Sequence, residues 1–318
     1  MEDLPTISVV IPCWNAEKWI ARAIQSVLDQ DYPHKEVIVI DDGSTDGSLD
    51  LIKLFGDRIR WETGPNRGAS AARNVGLRSA QAPLVLFLDA DDYLDPGSLT
   101  AWVADAADCD MLIGPFAYEF EGVRQAAVRV PQSSLPADVL RAWIDGWFTP
   151  PCAILWRRDF LQEIGGWKEP SLARNQDGEL AMRALLMSAR TRISDRGMGI
   201  YVQHDSPHRV SRKSGRAVLA TEIRVFTDLW DLALERGWSQ LRQNFARVFY
   251  RLASQAYFAG EVDIGRSALH RARELGLHGH EGTFAHRAFA SLLGLRMKSK
   301  IASAYRRLRC RLEPVNPR

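Results

Sequence analysis

A chain of 318 residues, 46% hydrophobic and 25% charged, is too long for one small core and ordinary in composition; it suits one large α/β domain plus an appendage and excludes disordered or fibrous classes. The formal net charge of +2 is unevenly spread: residues 296–318 hold eight Arg or Lys and one Glu, a local +7, which leaves −5 on the rest. No stretch approaches the roughly 18 apolar residues of a membrane-spanning helix, and the opening MEDLPTISVVIP carries acid where a secretory leader carries base. Cys13, Cys109, Cys152 and Cys310 lie far apart without a C-x-x-C pair and read as reduced thiols of a cytosolic protein.

In chain order, ISVVIP (7–12) and EVIVIDDGS (36–44) are near-continuous β-branched runs, the pattern of strands buried on both faces of a parallel sheet. Between them Trp19, Ile20, Ala23, Ile24, Val27 and Leu28 recur at helical spacing, giving a first βαβ unit. A helix over 47–55, a strand in RIRWET, a helix over ASAARNVGLRSA and the strand LVLFL (84–88) repeat the alternation, which predicts an α/β layered fold. Beyond residue 110 the pattern mixes strand-like MLIGPFAYEF, a helix near 136–146, CAILWRR and a helix over 178–189, expected to complete the sheet and build a second pocket wall. From about Gly215 the chain reads as helix only, with a pair near 239–259 and 262–275 broken at Ala259-Gly260. The domains expected are therefore 1–214, with halves meeting near 110, and a helical region 215–318.

The chemistry-bearing segments each admit two readings. In LVLFLDADD the acids follow the strand end, where open α/β sheets place ligand sites. Asp89 and Asp91, two apart on an extended chain, can face one Mn²⁺ or Mg²⁺ carrying a diphosphate, or form a solvated turn. Neither this segment nor the one at Asp42 fits a calcium loop, because the sixth residue from Asp89 is Leu94 and the twelfth from Asp42 is Lys53; no Walker or G-x-G-x-x-G phosphate loop occurs. In IDDGSTDGS, Asp41 or Asp42 can accept from a base or ribose, or cap the following helix. Arg73, beside Asn74 after a Gly-rich turn, can reach phosphate or be a plain surface arginine. Asp177 sits at a helix start as a general base or an N-cap, Trp167 can stack on a sugar or fill the core, and His204 can complete a metal site or be merely hydrogen-bonded.

In order, VVIPCWNAEKWIARAIQSVLDQ, EVIVIDDGSTDGS, NRGASAARNVGL, LVLFLDADDYLDPGSL, IGGW and NQDGEL resemble the family 2 inverting glycosyltransferases, whose fold is GT-A: Rossmann-like, with a mostly parallel sheet and flanking helices. The match is dense from Ile7 to about Leu99 and patchier to about Ser214, and it selects the functional reading of every segment except Trp167 and His204. The resemblance implies that Pro12, Trp14 and Asn15 line a nucleoside pocket, that Asp42 contacts the base, and that Arg73 lies near the nucleotide. It also implies that Asp89 and Ala90 meet the ribose or sugar, Asp91 binds Mn²⁺ or Mg²⁺, and Asp177 is the catalytic base. The family's usual Glu-Asp pair is Gln176-Asp177 here, which leaves the base's tuning open. The reaction implied is transfer of a single sugar from a nucleotide-diphospho-sugar to a sugar or lipid-linked acceptor in cell-surface glycan synthesis, since the Q-x-x-R-W motif of processive relatives is missing. The alternative from another class is a non-catalytic nucleotide-sugar-binding module with a helical interaction platform; a pyrophosphorylase would need a basic Gly-rich loop that CWNAEKW does not supply.

In the tail, Phe289, Leu292, Leu293, Met297, Ile301, Tyr305, Leu308 and Leu312 recur every three or four residues as one apolar stripe among basic residues. Such a helix (289–312) suits an anionic membrane surface or a protein-docked helix with a basic outer face. The location expected is cytoplasmic, peripheral to the membrane in the first case, with no nucleic-acid partner.

Overall fold

The computed structural model describes residues 4–128, 130–169, 174–205, 215–281 and 283–312; the side chains of 284–286, 288, 289, 292, 293 and 306–312 fall outside that description. Two compact units are distinguished, Met1–Arg209 and Val210–Arg318.

The first unit is α/β. Its strands and helices run β1 (Ile7–Cys13), α1 (Ile20–Leu28), β2 (Lys35–Asp41), α2 (Ser48–Lys53), β3 (Arg60–Thr63), α3 (Ala69–Ser79), β4 (Leu84–Phe87), β5 (Tyr93–Leu94), α4 (Ser98–Asp105) and β6 (Met111–Ile113). They continue with β7 (Phe116–Phe120), β8 (Val123–Arg124), α5 (Pro136–Asp145), β9 (Ile154–Arg157), α6 (Arg158–Glu163), α7 (Gln176–Leu186), β10 (Thr191–Ile193) and β11 (Gly199–Gln203). A seven-stranded sheet in the order β10-β6-β9-β4-β1-β2-β3 forms the frame; β9 alone runs antiparallel to its neighbours. The continuous β-branched run of β1 is explained by its place at the centre, buried along all seven residues between β2 and β4. Pro12 is tolerated there because pairing to β4 ends at Val10, whose carbonyl accepts from Leu88 N–H, so the missing Pro12 N–H leaves no ladder gap on that side.

A smaller sheet, β5-β11-β7-β8, lies beyond β4 in the chain. The strand-like segment MLIGPFAYEF divides between the two sheets: β6 belongs to the large one and β7 to the small one. Gly114-Pro115 makes the break, and a Cβ at Gly114 would come 2.5 Å from the Trp102 indole nitrogen, so the crossover is held against that ring. Ala117, Ile200 and Val202 pack one face of the small sheet, and Arg22 of α1 binds Glu119 of β7 at 3.0 Å.

The second unit is helical: α8 (Arg216–Glu235), α9 (Arg242–Ala259), α10 (Val262–Glu274) and α11 (Phe284–Leu312). Gly260, left-handed at φ 89°, ends α9 and turns the chain into α10, as the Ala259-Gly260 break predicts. The expected single stripe along α11 is corrected: Gly294, at φ 74° and ψ 149°, is non-helical and splits the helix, so residues before and after it do not share one register. Among the described residues no helix is long and apolar enough to cross a membrane.

Candidate functional site

The acid cluster stands where β4 ends, at the carboxyl edge of the large sheet. The sequence suggests an extended D-x-D; the chain instead turns, with Asp92 N–H donating to the Asp89 carbonyl at 2.9 Å. The turn replaces strand alternation with convergence: Asp89, Asp91 and Asp92 each offer a carboxylate oxygen, and these atoms lie within 4.8 Å of one another. The three are not equivalent. Asp92 is buried, and its Oδ1 accepts from Val202 N–H at 2.9 Å, tying the turn to β11. Asp91 is half-buried and its Oδ2 lies 2.7 Å from His204 Nε2. Ala90, 7% exposed, is the tight inner corner.

His204, one residue past β11, is stacked on Trp19 with ring centroids 4.2 Å apart. The structure thus brings His204 and Asp91 together across 113 residues of sequence. Carboxylate oxygens with one imidazole nitrogen alongside form a hard donor set that fits Mn²⁺ or Mg²⁺. Residues 206–211 of the YVQHDSPHRVS segment lie outside the described residues.

Arg73 is buried on the inner face of α3, not on the surface. Its Nη2 donates to Asp89 Oδ1 at 2.5 Å, its Nη1 to Gln176 Oε1 at 3.0 Å, and its Cζ stands 4.4 Å over the Trp167 ring. Nε is buried without a hydrogen-bond partner, an orphaned donor that an anionic ligand would satisfy. Gln176 Oε1 also accepts from Ser70 Oγ at 3.2 Å. The residue that breaks the Glu-Asp pattern is therefore the one that grips Arg73, and it does so without cancelling the arginine's charge.

Asp177 follows in the first turn of α7, after Asn175 in left-handed backbone at φ 60°. Some of its surface is open to solvent, yet its carboxyl sits in a poorly hydrated recess, and desolvation pushes its pKa up to about 6 against the opposing pull of the Arg73 charge; the Asp89 charge adds to the rise. A carboxylate with that pKa retains basicity while ionised at neutral pH.

The other strand-end acids are spent differently. Asp42, 6% exposed, accepts from Arg67 N–H and Gly68 N–H, each at 2.8 Å, and so fixes the turn into α3 that delivers Arg73. Asp41 accepts from Ser44 N–H at 3.2 Å and Thr63 Oγ at 2.6 Å. Neither caps α2; Asp46 Oδ1 instead accepts Ser48 N–H at 3.0 Å. Gly43 is required between these turns, since at φ +74° a Cβ would meet Asn66 N at 2.9 Å. Asn15, at φ 50°, donates its N–H to Ser44 Oγ and accepts from Thr45 N–H at 2.8 Å, linking the β1 and β2 ends. Trp14 beside it is 41% exposed and Pro12 is buried.

Trp167 is a core residue, 3% exposed, packed edge-on to Phe87 and beneath Arg73. Sequence reasoning missed what holds it. Asn74 accepts Trp167 N–H at 2.9 Å and donates to Trp167 O at 2.8 Å, which makes the side chain a backbone clamp. Gly166 at φ +61° permits this, because a Cβ would come 2.7 Å from Asn74 Oδ1. Buried Glu179 pairs with Arg183 at 2.8 Å, and Arg183 reaches the Ile164 and Gly166 carbonyls. The i, i+4 spacing of that pair was the available signal. Residues 170–173 between Trp167 and Asp177 lie outside the described residues.

The family model described as "Glycosyl transferase family 2" matches residues 8–165. An uncharacterized glycosyltransferase of Haemophilus influenzae is 42% identical over 96 residues, 29% of this chain and 38% of that protein. The putative teichuronic acid biosynthesis glycosyltransferase TuaG of Bacillus subtilis is 44% identical over 92 residues, 28% of this chain and 36% of that protein. The aligned segment thus spans little more than a third of these curated relatives. S. aureus TarS 1–349 in complex with UDP-GlcNAc superposes with a TM-score of 0.59 at 19% identity, covering 85% of this chain and 92% of that chain, a likeness of fold. With its strand-end acids, DGS turn and Arg73 lying in the matched segment and its sheet superposing on a GT-A frame, the chain belongs, through its N-terminal unit, to glycosyl transferase family 2.

Proposed function

We propose that the chain transfers a single sugar from a nucleotide-diphospho-sugar to an acceptor hydroxyl with inversion at the anomeric carbon, in cell-surface glycan synthesis. The observation that carries this reading is the gathering of Asp177, Arg73 and the Asp89–Asp92 turn around one recess, with the Asp177 carboxyl raised to about 6 and an unsatisfied Arg73 Nε. The membership in family 2 and the names of the relatives support the same direction.

In this reading Asp177 accepts the proton of the acceptor hydroxyl; the freed oxygen bonds to the anomeric carbon while the carbon–oxygen bond to the diphosphate breaks and its electron pair leaves with the nucleotide. Arg73 donates toward the leaving diphosphate and, through Gln176, keeps its charge beside Asp177. Asp42 and Asn15 hold the turns that border the nucleoside, with Pro12 and Trp14 as its walls and Asp89 and Ala90 next to the sugar. Asp91 and His204 would hold a divalent cation, Mn²⁺ or Mg²⁺, which would supply positive charge against the departing diphosphate. Asp92 contributes by fixing the turn to β11. The acceptor is a sugar or lipid-linked sugar.

A panel of UDP-, GDP- and dTDP-sugars tests the reading, with melting temperature and donor turnover measured with Mn²⁺ and with EDTA. Stabilisation and turnover by one donor with metal, and a product of inverted anomeric configuration by NMR, are expected. If no donor in the panel gives either stabilisation or turnover, the proposal fails. Stabilisation without turnover favours the second reading, a nucleotide-sugar-binding module, for which Gln176 at the Glu position is the supporting observation.

A further inference from the structure

The part of α11 beyond Gly294 carries two opposed faces. At about 100° per residue around a helix, with Met297 at zero, Ile301 and Tyr305 fall near 40° and 80°. On the same scale Leu295 and Ser299 fall at about 160° and 200°. The second pair is the inward face, 3% and 4% exposed. The first is outward: Met297 is 50%, Ile301 52% and Tyr305 67% exposed. A docked amphipathic helix turns its apolar stripe in and its polar residues out; this one turns Leu295 and Ser299 in and leaves Met297, Ile301 and Tyr305 out. The protein-docked alternative, with the stripe covered and only basic residues outside, does not describe this segment.

Charge says what the stripe meets. Arg296 and Lys300 lie near 260° and 300° on one side of the stripe and Lys298 near 100° on the other, by the same approximate rotation per residue. The sequence adds Arg306, Arg307, Arg309 and Arg311, with Glu313 as the one acid from 296 to the end. An exposed apolar ridge between basic flanks is complementary to a surface that is anionic at its rim and hydrocarbon beneath. A nucleic acid would use the charges and leave the aliphatic ridge wet, and a globular partner gives no reason for so many basic groups.

We propose that this segment of α11 is a docking surface for an anionic phospholipid bilayer, lying in the interface with Met297, Ile301 and Tyr305 inserted and Arg296, Lys298 and Lys300 on the headgroups. The proposal does not depend on the glycosyl-transfer reading, because its readout is vesicle binding by the full chain without substrate.

The test is co-sedimentation with vesicles of equal phosphatidylglycerol and phosphatidylcholine against phosphatidylcholine alone. Binding to the anionic vesicles is expected, weakening with added salt, with little to the neutral ones. Met297→Gln/Ile301→Gln/Tyr305→Gln should lower binding at least tenfold with unchanged circular dichroism, since the replaced side chains are exposed. Arg296→Glu/Lys300→Glu, both at exposed positions, should lower it by more than the roughly fivefold expected for each lost basic group. Equal sedimentation with neutral vesicles, no binding to anionic ones, or wild-type binding by the triple variant overturns the proposal. Retention on an RNA homopolymer that survives the triple substitution reassigns the charges to nucleic acid and overturns it as well.

Discussion

Two acid-rich turns end the strands on either side of β1, and they are used in opposite ways. At the end of β2, Asp41 and Asp42 satisfy four donors of their own chain, three backbone N–H groups and the Thr63 hydroxyl. At the end of β4, Asp89 and Asp91 instead face Arg73 and His204, cationic or titratable side chains drawn from distant segments. Asp92 alone there resembles the β2 pattern, bonding a strand amide. The difference teaches that an acidic strand end is spent as a scaffold where it meets backbone donors, and keeps partners that a ligand could displace or share where it meets side chains. Asp42 sets the turn that delivers Arg73; Asp89 and Asp91, both half-buried, keep part of their surface open.

Four experiments sharpen or break this contrast. The largest effect is expected for Asp177→Asn, which removes the proton acceptor and should lower kcat by about 10² to 10⁴-fold with donor binding retained; intact transfer would break the assignment. Next, Asp91→Asn should cost at least the roughly 10 to 100-fold in apparent metal affinity that loss of an outer-shell partner costs, measured by Mn²⁺ titration of activity, while the melting temperature changes little.

Asp42→Asn comes third and tests the scaffold side. Its amide would present a donor to one of the two backbone N–H groups, leaving a buried group unsatisfied at a cost of about 1–3 kcal/mol. The measurement is denaturant unfolding; full stability with lost activity would place Asp42 with Asp91 and dissolve the contrast.

The smallest effect concerns pH. A base with its pKa near 6 is protonated below that value, so the wild-type rate should fall about tenfold per pH unit on the acid side, and be flat above it until another group titrates. Gln176→Glu pairs Arg73 with a second carboxylate and removes part of the positive charge that favours ionised Asp177. The Asp177 pKa should rise, moving the acid limb up by as much as about one unit and lowering the rate near pH 6 up to about fivefold. An acid limb that stays in place shows that Gln176 only orients Arg73.

Much of both units was legible because the code is local. The β-branched runs of β1 and β2, the helical spacing of α1, the Ala259-Gly260 stop and the strand-end position of Asp89 follow from periodicity and propensity over a few residues. The ordered motifs, together, sufficed to point to family 2. Where the reading failed, the cause was non-local: MLIGPFAYEF divides between two sheets because Gly114 must clear Trp102, and the D-x-D turns because Asp92 is drawn to Val202.

The sequence by itself thus determined the elements of the α/β unit, the order of its motifs and the excess of basic charge near the C-terminus. Only the tertiary structure decided which side chain each motif meets: Arg73 on Asp89 and Gln176, Asn74 on Trp167, His204 on Asp91, and the apolar ridge of α11 turned outward. The reason is physical. Secondary structure is set by neighbours a few residues apart, whereas these hydrogen-bond partners, 16 to 113 residues apart, are chosen by packing, which no local pattern encodes.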